Sequence, residues 1–145
     1  MIKNRNMKKG FISFVFASLV LIACSKSGDT AAPAPPPVAT PEATIEFSID
    51  PDPGTTIFAS LGASQSIAVN ISSKLPTTGV TIDVKTTKDS DGTTVSSSSV
   101  ASNNAKNTVS IDNLVSGVLC TTTVTVTSKS KADNSALKSF KIARK

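Results

Sequence analysis

The chain of 145 residues carries fifteen Lys and Arg, ten Asp and Glu, and no His, Trp or Tyr, for a formal charge of +5. Lack of histidine excludes Ser-His-Asp and Cys-His nucleophile systems and the usual zinc sites. The basicity is local: residues 24–145 hold eleven basic and ten acidic side chains, a net charge of about +1. With no Trp or Tyr to stack bases, and Arg144 the one arginine after the first ten residues, nucleic acid is excluded as a partner.

Residues 1–10 contain Lys3, Arg5, Lys8 and Lys9 and no acid, and Phe11–Ala23 contain no charge. A basic head before a short apolar body is the layout of a secretory signal peptide. Thirteen residues rise about 20 Å as a helix, short of the roughly 30 Å hydrocarbon core. Residues 1–23 are therefore read as a signal helix and not as a membrane span.

The apolar run ends in Leu21-Ile22-Ala23-Cys24. This tetrad resembles the lipobox of bacterial lipoproteins: an apolar residue, Ile, a small residue, then a cysteine whose thiol takes the lipid. The resemblance implies cleavage between Ala23 and Cys24, with fatty acyl chains such as palmitate on Cys24. Each buried methylene is worth about 0.8 kcal/mol, so two or three chains make release from a bilayer negligible. Cys24 is followed by Ser25 and not Asp, which, by resemblance to the sorting rule of enteric lipoproteins, favours the cell outer membrane.

Residues 24–41 continue as a Pro/Ala-rich linker with five prolines from Ser25 to Pro41 and no hydrophobic periodicity. Such a stretch is expected to be a disordered, extended tether of roughly 50 Å reach, at about 3.1 Å per residue. Within it, Asp29-Thr30-Ala31 resembles a bacterial O-glycosylation acceptor, making Thr30 a candidate glycan site.

Residues 42–145 suit one domain. Apolar residues alternate in Ile45/Phe47/Ile49, Ile67/Val69/Ile71, Val80/Ile82/Val84, Val109/Ile111, Val118/Cys120/Val124/Val126 and Phe140/Ile142. Period-two runs place these side chains on one face of a strand. Turn formers separate them at 50–54 (DPDPG), 75–79 (LPTTG), 89–92 (DSDG) and 103–107 (NNAKN), while ADNSALKSF reads as a turn entering the last strand. The expected fold is all-β, an antiparallel sandwich of about seven strands. Leu114, Gly117 and Cys120, followed by Val124 and Val126, resemble the spacing around the sixth strand of fibronectin type III domains, which implies an immunoglobulin-like sandwich. Cys120 stands where that family has the tyrosine of its tyrosine corner, and the tryptophan of the second strand is missing. Parity makes Cys120 a buried thiol.

Candidate chemistry is sparse. Asp89-Ser90-Asp91-Gly92 resembles part of a calcium loop, with Asp50 and Asp52 as further ligands if the fold gathers them; the competing reading is a hairpin turn. Ser128/Lys131 and Ser135/Lys138 satisfy S-x-x-K, but residues three apart on a strand face opposite ways. Lys129, Lys131, Lys138, Lys141, Arg144 and Lys145 against Asp133 read as a solvated edge strand, with anionic headgroups as the alternative partner. The expectation is a lipid-anchored, non-catalytic domain without cofactor or resident metal that acts as a structural or protein-binding (adhesive) module. A glycan-binding accessory of a polysaccharide-uptake system ranks second, because aromatic stacking platforms are missing.

Overall fold

The computed structural model describes residues 41–145. The expected signal helix, the lipobox Leu21-Ile22-Ala23-Cys24, Thr30 and nearly all of the linker lie outside the described residues.

The described chain is all-β, eight strands in two sheets with no helix. In chain order these are β1 (Phe47–Asp50), β2 (Phe58–Ser60), β3 (Gln65–Ile71), β4 (Val80–Lys88), β5 (Thr94–Ser102), β6 (Lys106–Ile111), β7 (Leu119–Ser128) and β8 (Ser135–Arg144). The smaller sheet has the order β1-β3-β6 and the larger β2-β8-β7-β4-β5. Alternation creates the layers: Phe47, Ile49, Ile67, Val69, Ile71, Val109 and Ile111 of the smaller sheet, with Ile45 just before β1, share one buried cluster with Val80, Ile82, Val84, Cys120, Val124, Val126, Phe140 and Ile142 of the larger. Burying each large member contributes roughly 1.5–3 kcal/mol. Phe58 and Phe140 meet edge to face with centroids 6.4 Å apart.

Several expectations are corrected. The strands number eight where about seven are expected, and the pairing is not all antiparallel: Phe58↔Ile142 through Ser60↔Arg144 joins β2 to β8 in parallel. β2 is three residues long, too short for alternation to reveal. The turn expected at 103–107 ends sooner, because Lys106 and Asn107 already pair with Asn70 and Val69 of β3. Val118 is half-buried at the margin of the core. Thr86 and Thr122, both fully buried, join the apolar set, paired across β4 and β7 with their hydroxyls 2.8 Å apart.

β5 carries serine at the inward positions Ser96, Ser98 and Ser102, which pair with Thr86, Val84 and Val80. It is the outermost strand of a five-stranded sheet facing a three-stranded one, so its inner face lacks a full apolar lid.

Candidate functional site

The strands define two poles. β7 begins at one with Leu119 and ends at the other with Ser128, and ten residues at about 3.3 Å each separate the poles by roughly 30 Å.

At the Ser128 pole the chain enters the domain and is clasped. Glu42 Oε1 accepts from Ser128 Oγ (3.0 Å) and Ser130 Oγ (2.6 Å), while Glu42 Oε2 accepts from Asn134 Nδ2 (2.9 Å). Asn134 also donates to the Ala43 carbonyl (2.9 Å), and its Oδ1 accepts from the Ile45 amide (3.1 Å). Hydrogen bonds from Ser130, then Asn134 and Ser128, hold the Glu42 carboxyl below the usual range. These contacts fasten residues 42–45 to the β7–β8 connection, almost ninety positions away in sequence.

The opposite pole gathers the β2–β3, β4–β5 and β6–β7 turns with the C-terminus. Lys145 N donates to Ser60 O (3.0 Å), Gly117 N to Arg144 O (3.0 Å), Leu114 N to Ala63 O (2.9 Å) and Asp89 N to Leu119 O (3.0 Å). Three apolar side chains stand in solvent there: Leu61 (86% exposed), Val115 (52%) and Leu119 (37%). Leu114 turns inward and is buried, so adjacent Val115 must face out. Gly117 makes this reversal with φ +74°, a conformation that favours glycine.

The carboxylates once grouped as calcium candidates serve separate purposes. Asp89 accepts from Lys141 Nζ and Thr121 Oγ1, both at 2.6 Å, and these bonds, that to Lys141 foremost, lower its pKa. Asp91 accepts from the Thr93 amide (2.8 Å), closing the β4–β5 turn. Asp50 ends β1, and Asp52 caps the Gly54 amide (2.9 Å). Among the described residues no three His, Cys, Asp or Glu side chains converge on a metal-sized site. Three surface clefts each contain a single carboxylate, Asp52, Glu42 or Glu46, so none of them offers a pair of carboxylates.

The basic residues of the C-terminal stretch are dispersed and do not form one patch. Lys129 and Lys131 lie in the β7–β8 connection, Lys138 sits 5.7 Å from the Phe47 ring centroid, and Lys141 is held by Asp89. β8 is an edge in part only, since β2 covers Ile142–Arg144. Ser128 and Ser130 bond to Glu42, and no lysine bonds to them. Cys120 is 1% exposed, and burial pushes its thiol pKa up.

The apolar pole itself was not found from sequence. Its one available signal was the Leu114-Val115 pair inside a turn, where a single side chain fits inward. No protein-family model and no curated protein matches the chain.

Proposed function

We propose that the chain is a lipid-anchored protein of the outer membrane whose non-catalytic, immunoglobulin-like domain binds another protein through the pole bearing Leu61, Val115 and Leu119. The observation that carries this reading is the opposition of entry and exposed apolar surface. The chain enters at the Glu42 clasp, and the apolar side chains stand roughly 30 Å away at the other end. Exposed apolar residues beside polar groups such as Asp89 and Lys141 suit a modest protein contact. The strand order β1-β3-β6 over β2-β8-β7-β4-β5, and the corner at Leu114 and Gly117, support the immunoglobulin-like assignment.

The test places a photo-crosslinking residue at Val115, Leu61 or Leu137 in the native host. Leu137 is as exposed (63%) but lies on the outer face of the larger sheet. An adduct of one defined mass from Val115 and Leu61, lost with Leu119→Asp and absent from Leu137, is expected. Equal labelling at all three positions, or adducts from Leu137 alone, contradicts the pole as the binding surface.

A further inference from the structure

A sheet edge presents unpaired backbone groups, and soluble domains shorten, charge or interrupt such edges to prevent pairing. Three of the four terminal strands here are blunted. β1 has four residues and runs into Pro51, β2 has three, and β6 begins with Lys106. The open part of β8 carries Lys138 and Lys141. β5 is different: nine residues, TVSSSSVAS, with no charge and no proline, and a single bulge confined to its start beside Thr86/Thr87. Its outer side pairs with no strand among the described residues.

We propose that β5 pairs antiparallel with β5 of a second copy of this chain, about a two-fold axis through Ser98, making one continuous ten-stranded sheet. Such an axis stands perpendicular to the sheet and must pass through a residue, because paired residues share a face. Three observations select the occupant and the register. Ser98, small and central in β5, lets the two strands meet on the axis, where directly paired Cβ atoms lie about 4.5–5.5 Å apart; its hydroxyl is already shielded from solvent within one copy and takes no part in the contact. Val100, inward-facing yet 36% exposed, comes opposite Ser96 and is covered. On the outer face, Lys85 lies beside Ser97 and Asp83 beside Ser99. With the axis at Ser98, Ser97 meets Ser99 of the second copy, so Lys85 of each copy falls in one row with Asp83 of the other. An axis at Ser97 would instead align Lys85 with Lys85. A contact of one nine-residue strand per copy is small beside the ~1,200 Å² of a stable interface, so the pairing belongs to high local concentration.

Sedimentation equilibrium of the full chain, with Cys24→Ser to remove the lipid attachment point, tests this from micromolar to about millimolar concentration. The weight-average mass is expected to rise toward twice that of one chain. Ser97→Lys with Ser99→Lys, both on the solvent face, puts like charges directly opposite and is expected to abolish the rise. A constant monomer mass, or a rise that the lysines leave unchanged, overturns the proposal. Mild oxidation in the same Cys24→Ser background is the independent check of register: Ser98→Cys is expected to give a reducible dimer and Ser102→Cys none. Equal cross-linking at both positions, or none at Ser98→Cys, overturns it as well.

Discussion

Thr86 and Thr122 are fully buried, with their hydroxyls bonded only to each other at 2.8 Å. Valine has the same branched shape, so Thr86→Val and Thr122→Val change the hydroxyl while preserving packing and strand preference. Either single substitution leaves one buried hydroxyl unpartnered, a cost of about 1–3 kcal/mol. Replacing both removes the polar demand together with its satisfaction, and the double variant should be close to the parent or slightly more stable. At about 4–8 °C per kcal/mol, each single should melt several degrees lower and the double should recover. Urea unfolding of the four proteins closes the cycle, with an expected coupling equal to the sum of the two single costs, about 2–6 kcal/mol, and an unchanged m-value. The reasoning fails if both singles fall within about 0.3 kcal/mol of the parent, or if the double costs the sum of the singles.

Gly79 has φ +82°, and a Cβ there would overlap the Asn103 side chain and the Ser102 carbonyl. Gly79→Ala should cost at least the roughly 1–3 kcal/mol of a strained backbone, seen as a lowered urea midpoint. Glu42 is depressed in the folded state, so its contribution is present above its unfolded pKa and is lost as pH falls through its lower folded value. The melting temperature should therefore drop on acidification below the ordinary carboxylate range, and Glu42→Gln should flatten that dependence; an unchanged pH profile would dissociate the clasp from stability. Cys120, buried and with a raised thiol pKa, should resist maleimide until denaturant is added. Rapid labelling of the folded protein at Cys120 would contradict its burial.

The layers were legible where one residue in two is apolar. Ile67-Val69-Ile71 and Val80-Ile82-Val84 report their inward face directly, and the structure buries all six. Thr86 and Thr122 continue the same parity, but a hydroxyl reads as solvent-facing until its partner on the neighbouring strand is known. β5 was obscure for a related reason: at the flank of the larger sheet its inward positions tolerate Ser96, Ser98 and Ser102, which erases the alternation. Asp89 looked like part of a calcium turn because sequence spacing cannot show Lys141, fifty-two positions away, occupying its carboxylate. The apolar pole depends on loops from four places in the chain meeting at one end, information that no local window holds.

The most direct test of the anchored-module account is the N-terminus of the protein purified from its native membranes, taken together with fractionation of Cys24→Ser. The account predicts that the chain begins at Cys24 with the mass of attached acyl chains, and that the variant leaves the membrane fraction. A chain that begins elsewhere without lipid, or a Cys24→Ser protein that stays with the membrane, would contradict it.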